Sequence, residues 1–173
     1  METLDFGLLI LRAVVGGTMF SHGAQKAFGW WGGPGYERWR GAIGGMGFQP
    51  VALWTAVSIA GELSGGLLLL GLLTPLVAAL IVAQAIVIIG QVHLAKGFFN
   101  TAGGFEFPLS LGAGAAAVLF TGPGAASVDA LVGFDVSATV RVILFVLAIA
   151  GGLIALGAPH FLARQGDVHA PSR

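Results

Sequence analysis

Five long apolar stretches run along the chain, separated by polar or glycine-rich joints, and the strongly polar positions inside them are few. From Phe6 to about Phe28 the run is interrupted by Arg12, Ser21, His22, Gln25 and Lys26. At about 1.5 Å per residue it is long enough to cross ~30 Å of hydrocarbon, which predicts a first transmembrane helix. Gly29 to Pro50 is polar and glycine-rich and carries Trp30, Trp31, Tyr36, Glu37, Arg38, Trp39 and Arg40. That mixture suits a chain lying in the headgroup layer, part of it as a short interfacial helix, with the aromatic residues as a belt. Val51 to Leu73 is a second span interrupted by Glu62, and Thr74-Pro75 turns the chain tightly into a third, Leu76 to Leu94. These two form an antiparallel hairpin. His93 to Phe107 makes a second polar loop, followed by a short fourth span, Pro108 to about Phe120, rich in Gly and Ala. Small residues there, like Gly16, Gly17, Gly61 and Gly65 earlier, let helix backbones approach closely. Thr121 to Ser137 leads into a fifth span, Ala138 to about Ala158, with Arg141 near its start. The tail from Pro159 is polar and expected to be disordered.

Composition strengthens the membrane assignment. The 173 residues are 56% hydrophobic and 9% charged, with a mean hydropathy of +0.90, whereas about a quarter of the residues in soluble domains are charged. The fold class is therefore an all-α integral membrane protein. Net charge is zero and the basic residues are scattered, which suggests neither nucleic acid nor a polybasic lipid-binding patch, and leaves the lipid bilayer implied by hydropathy as the partner. Cysteine is absent, so disulfides, thiolate metal sites and a thiol relay within the chain are excluded. The start, Met-Glu-Thr-Leu-Asp, is acidic where a signal peptide would be basic, so the first helix is expected to be retained. Lys26, Arg38, Arg40, Lys96, Arg164 and Arg173 fall on the side shared by the first and third loops and the tail, against Arg12 and Arg141 on the other. The positive-inside rule then puts a multi-pass protein in the cell (inner) membrane, N-terminus outside and C-terminus in the cytoplasm.

Polar groups are costly in hydrocarbon and tend to mark function. Counting helical rise, His22 lies about 9 Å from the end of the first span, with Lys26, Gln91, His93, Lys96 and Glu106 nearer that surface. His22 and Lys26, four apart, share a helix face. Either one cavity sees both, or Lys26 snorkels to the headgroups and His22 bonds a neighbouring carbonyl. Glu62 falls near the midplane, about 16 Å in, and Gln84 on the antiparallel third span reaches a similar depth. An ionised carboxylate without a partner is improbable there. Three solutions stay open: a protonated Glu62, a hydrogen bond to Gln84, or a cation such as Arg12 or Lys26. Phe98, Phe99, Phe105 and Phe107 make either an apolar lid suited to a quinone-sized ring or an interfacial re-entrant loop. Arg12 and Arg141 are assigned to structure, neutralised by Asp5, Asp129 and Asp135. His22, His93 and Glu106 form an N,N,O set but without tight ligand spacing, so no metal site is assigned.

Arg12, His22-Gly23, Gln25-Lys26, Phe28-Gly29, Gly32-Gly33-Pro34-Gly35, Glu62 with Gly65-Gly66, and Gly71-Leu72-Leu73-Thr74 form an ordered series, continued by His93, Gly97-Phe98-Phe99, Gly103-Gly104, Glu106 and Pro108. The series, within about Leu8 to Asp129, resembles the DoxX family of small bacterial membrane proteins. That family usually carries a tyrosine around Glu106, where this chain has Phe105 and Phe107. The resemblance implies a four-helix transmembrane bundle over residues 1–135, an additional C-terminal transmembrane helix over 136–158 and a tail over 159–173. It also implies membrane redox chemistry. Relatives include the large subunit of an archaeal thiosulfate:quinone oxidoreductase, and members resemble partners of sulfurtransferases or superoxide dismutase in oxidant defence. The bundle is similar to that of vitamin K epoxide reductase, whose cysteines have no counterpart here.

The leading expectation is a quinone-linked redox subunit, with a pocket walled by the first three spans and lidded by the His93–Phe107 loop. His22 and His93 would hydrogen-bond the quinone oxygens, Glu62 or Glu106 would handle protons, and Lys26 would stabilise anionic charge. Gln84, Gln91, Phe98, Phe99 and Phe105 would contact the ring. Two rivals stand beside it: a non-catalytic anchor for a soluble or membrane redox partner, and a small-solute carrier built on Glu62 and Gln84.

Overall fold

The structure, a computed structural model, describes residues 2–168, with side chains over 2–159. All regular structure among the described residues is helical. Helix α1 (Thr3–Phe28) opens with a capping box in which the Glu2 amide donates to Asp5 Oδ2 (2.8 Å), and it closes on Gly29 in the left-handed region at φ 72°. After a 3-10 turn at Trp30–Gly32 comes α2 (Gly35–Gly45), the expected short helix. Helices α3 (Val51–Leu63) and α4 (Gly65–Leu70) are one apolar rod broken at Ser64, whose hydroxyl donates to the Gly61 carbonyl (2.6 Å). Helix α5 (Thr74–Ile88) continues through a π-helical turn, Ile89–His93, and a 3-10 turn, Leu94–Lys96. Then come α6 (Glu106–Thr121), the short α7 (Val128–Val132) and α8 (Ala138–Val168).

Four stretches are long and apolar enough to cross a bilayer: Thr3–Phe28, Val51–Leu70, Thr74–Lys96 and Ala138–Pro159. The chain is thus a multi-pass membrane protein. Helix α6 is apolar but has 16 residues, about 24 Å of rise. Its ends are tied to opposite ends of the bundle. The start meets α1 and the π-helical turn through His22 against Phe107 and His93 against Gly103. Past its end, Ala126 accepts from Arg12 near the start of α1. Helix α8 runs past Ala158 to Val168, beyond the expected start of the tail; residues 169–173 of that tail lie outside the described residues.

Helix α5 is apolar on every side and forms the centre, where Val77, Ala78, Ile81 and Val82 pack with Leu68, Leu111, Ala115, Val118, Leu119 and Ala148. Helices α1 and α4 cross at Gly16 and Gly65. A methyl at Gly16 would sit 2.5 Å from the Gly65 carbonyl oxygen and 2.7 Å from the Leu69 nitrogen, so only glycine permits this approach.

At the α7 end, Arg12 is fully buried and donates to the carbonyl of Ala126, with a longer contact (3.5 Å) to that of Leu69. A side chain on Gly71 (φ 66°) would overlap its guanidinium. The expected neutralisation is corrected in part. Arg141 does pair with Asp135 and also donates to the Leu119 carbonyl (2.8 Å). Asp129 lies near the Arg12 charge while it accepts the Leu73 and Thr74 amides (2.8 Å each), whereas Asp5 accepts the amide of Ala125 (2.8 Å) and pairs with neither arginine. The reason lies in free backbone amides, at the start of α5 and in the turn before α7, which need acceptors in a medium that offers none.

Candidate functional site

One ion pair dominates the α2 end. Glu62, 2% exposed, sits two residues before the break between α3 and α4, and Lys26 in the last turn of α1 reaches back to pair with it. Of the three solutions left open by the sequence, the cation is the one adopted, and Lys26 turns inward. Its ammonium lies 3.9 Å from the ring centroid of Trp39, a cation–π contact. Helix α2 places that ring by its two faces: Trp39 and Ile43 turn in, while Glu37, Arg38 and Arg40 are exposed. The indole N–H donates to Ser58 Oγ (3.2 Å), and Gln84 donates to the Ser58 carbonyl (2.8 Å). Two buried acceptors keep no partner, Glu62 Oε2 and Gln84 Oε1, the latter packed on Gly61.

Beside this group lies a cavity of about 230 Å³ bounded by α2, α3, α5 and α8. Its polar groups are Lys26, Trp39, Ser58, Gln84 and Gln91; the remaining wall is apolar, including Phe48, Trp54 and Val87. Gln91 sits in the π-helical turn and donates to the Leu156 carbonyl (3.1 Å), tying α5 to α8. Widened turns of this kind often accompany functional sites. Gly151, Gly152 and Ala155 of α8 complete the wall with little side-chain bulk.

The other expected residues stand elsewhere. His22 packs edge-on against Phe107 (5.9 Å between centroids) and does not border the cavity. His93 Nδ1 donates to the Gly103 carbonyl (2.7 Å), and Glu106 accepts the Asn100 amide (3.0 Å) on a separate polar crevice. Phe98 stacks edge-on with Phe99 (5.3 Å) and Phe105 (5.4 Å). The expected lid is corrected: this loop closes on itself through the Glu106 amide to the Phe98 carbonyl (2.9 Å) and the Phe105 amide to that of Gly97 (3.1 Å). The cavity is closed instead by α2 and the turn after it, and walled by α8, which the sequence did not place there. Among the described residues no three His, Asp or Glu side chains gather as a metal site. Sequence reasoning also missed Trp54 and Ser58, and put Trp39 in the belt with Trp30 and Trp31; those two are exposed, Trp39 is not.

The profile of the DoxX family matches residues 7–94, just over half the chain. The chain belongs to the DoxX family. No curated protein and no solved structure matches it. The DoxX match takes in α1 to α5 and the π-helical turn, hence Lys26, Trp39, Ser58, Glu62, Gln84 and Gln91. It stops before the Phe-rich loop, α6 and α8. In this DoxX protein the polar edge of the cavity therefore lies within the family region, and the small-residue wall outside it.

The chemistry open to that edge follows from its donors. An ammonium has three N–H donors and an amide two. Lys26 spends one on Glu62 and Gln84 one on Ser58, which leaves donors for a carbonyl-bearing ligand. Glu62 compensates the charge of Lys26, the one cation bordering the cavity among the described residues. The pocket thus suits a neutral, largely apolar ligand rather than an anionic headgroup.

Proposed function

We propose that this DoxX protein is a membrane redox subunit linked to the quinone pool, with the quinone ring held in the cavity between α2, α3, α5 and α8. The observation that carries the reading is an apolar, ring-sized cavity in the membrane region with Lys26 at its polar edge, its charge compensated by Glu62, which lies behind it and does not border the cavity. A quinone, when bound, supplies two-electron, two-proton carrier chemistry. Lys26 and Gln84 hold a ring oxygen, Trp39 and Trp54 contact the ring, and Gln91 keeps the α5 and α8 walls together. Glu62 holds or passes a proton at Oε2, the oxygen without a partner. His22, one turn from Lys26, with His93 and Glu106 at the same end, carries protons toward the surface. Phe98, Phe99 and Phe105 anchor their loop in the headgroup layer. Electrons come from the redox group of a partner protein, since the chain has no thiols of its own.

In this reading α6 is a fifth crossing, and the α2 end faces the cytoplasm with the N-terminus outside. The chain has no native cysteine, so single cysteines at Gly33 and Thr101 test the topology directly. Both should react with an impermeant maleimide only after the cytoplasmic face is opened; labelling from opposite faces would refute it.

The rival reading, a non-catalytic anchor, draws on the exposed Trp30, Trp31, Phe98 and Phe99 at the α2 end. Mass spectrometry of lipophilic molecules retained by the detergent-purified protein separates the two. About one quinone per chain, lost in Lys26→Leu and Gln84→Leu, is the expected result. Protein free of quinone would favour the anchor.

A further inference from the structure

The cavity is too small for its proposed ligand as a whole. Sites for drug-sized molecules run to roughly 300–1,000 Å³. At about 230 Å³ this one takes a ring and leaves no room for an isoprenoid chain. The tail must therefore leave, and the exposure of the wall residues shows where. Ile43, Phe48 and Gly152 are buried, and of the residues bordering the cavity three are exposed: Val57 at 47%, Leu80 at 44%, and Gly151. They lie on three different helices, α3, α5 and α8. By helical rise Val57 is about 9 Å from the α2 end of α3, and Leu80 about 9 Å from the opposite end of α5. Gly151 falls near the middle of its span. The opening is thus a lateral slot at the depth of the acyl chains, beginning beside Ser58 and running away from Lys26 at the α2 end.

Resting on the quinone reading, we propose that this slot is the port through which the ligand enters from the bilayer and in which its tail lies. The polar groups then fix the orientation, with ring oxygens toward Lys26 at the α2 end and the tail over Gly151 and Leu80 in hydrocarbon. Gly151 borders the slot without a side chain, and a Cβ built on it meets no atom within 4 Å. A Cβ can be added there without displacing a neighbour. Gly152, one residue on, would strike the Ala83 carbonyl oxygen at 2.8 Å and so presses α8 onto α5. The pair makes a fixed rim beside an open gap. One side of the slot, Gly151 on α8, lies outside the DoxX match, and the other, Val57 and Leu80, lies inside it.

The test uses the full chain in nanodiscs and follows quenching of tryptophan emission by two probes, a tail-free benzoquinone and the same ring with a decyl tail. Gly151→Phe should weaken the tailed probe about tenfold or more, since each methylene excluded from apolar surroundings costs affinity, and leave the tail-free probe within about twofold. Gly157→Phe, at a position on α8 equally free of contacts and away from the cavity, should bind both like the parent and shows that the helix tolerates the ring. Unchanged binding of the tailed probe to Gly151→Phe would overturn the port, as would equal loss of both probes. Failure of the parent to bind either probe would instead remove the quinone reading, and the port with it.

Discussion

Arg12 and Lys26 are both cations of α1 turned into the bundle, yet their surroundings differ in kind. Arg12 is enclosed: carbonyls of Leu69 and Ala126 receive its guanidinium, Gly71 leaves no space beside it, and Asp129 nearby is committed to the first amides of α5. Lys26 has one carboxylate and one indole face, and beyond them an open cavity. A buried charge in a membrane protein is a reasonable first sign of function. The contrast shows that burial alone does not distinguish a structural clasp from a site. Free volume beside the charge does: buried polar atoms without partners occur at both ends, Arg12 Nε and Thr74 Oγ1 at one, Glu62 Oε2 and Gln84 Oε1 at the other, but only the second pair lies beside a cavity.

The largest effect is expected where the clasp is broken. Arg12→Met strands the carbonyls of Ala126 and Leu69 in a place without water and leaves Asp129 without its nearby cation. Removing one partner from a buried polar cluster costs about 3–5 kcal/mol. Thermal unfolding in detergent should show a large loss, while quinone binding by the protein that remains folded should match the parent. A full-strength bundle in Arg12→Met would erase the contrast.

At the cavity the signs reverse. Glu62→Gln keeps shape and hydrogen bonding, and Lys26 keeps its place over Trp39, so the bundle should purify with an unchanged elution profile. Quinone-coupled turnover should fall by about a hundredfold or more, the usual scale for losing a positioned acid or base. Glu62→Leu should impair assembly as well. Normal turnover in the Gln variant would make Glu62 interhelical glue.

How much of this could be read beforehand differs between the two ends. The five apolar stretches and their order were legible because a backbone in hydrocarbon must satisfy its own hydrogen bonds, which leaves helices as the solution. That Gly16 and Gly65 would each allow a close helix approach was legible from residue size, though not that they would meet each other. The end of the bundle toward which Lys26 lies was legible too, since residues can be counted along a helix. Direction around the bundle was not. Whether Glu62 met Gln84, Arg12 or Lys26 depended on which faces meet, and the wall made by α8 depended on which helices are neighbours. Trp39 was assigned by the company it keeps, Trp30, Trp31 and Tyr36. The signal that separates it was its spacing from Ile43 against exposed Glu37, Arg38 and Arg40. The four phenylalanines of the 98–107 segment suggested a lid, but backbone bonds between Gly97–Phe98 and Phe105–Glu106 fold that segment on itself, and composition carries no trace of them.

A smaller effect should separate the capping role of Asp129 from any role as counter-charge. Asp129→Asn keeps one acceptor for the Leu73 and Thr74 amides and gives up the second, and a hydrogen bond of this kind contributes about 1 kcal/mol. A modest drop in unfolding temperature with unchanged ligand retention is expected. A loss as large as that of Arg12→Met would mean that the charge, and not the cap, holds the α7 end together.

The smallest effect concerns Trp39, where a side chain links the ion pair to the cavity wall. Its ring faces the Lys26 ammonium, its N–H reaches Ser58, and its edge borders the cavity, so it restricts where Lys26 can point when a ligand is present. Trp39→Phe keeps an aromatic face but a weaker one, and removes the bond to Ser58. Cation–π contacts are worth about 0.5–1 kcal/mol at such partly exposed sites. Affinity for the tail-free quinone should therefore fall by about two- to fivefold. Stability should hardly change, because Lys26 keeps Glu62. Trp39→Leu should weaken binding further, since it removes the aromatic face altogether. If both variants bind like the parent, the indole is only a plug between α2 and α3, and Lys26 is positioned by Glu62 alone.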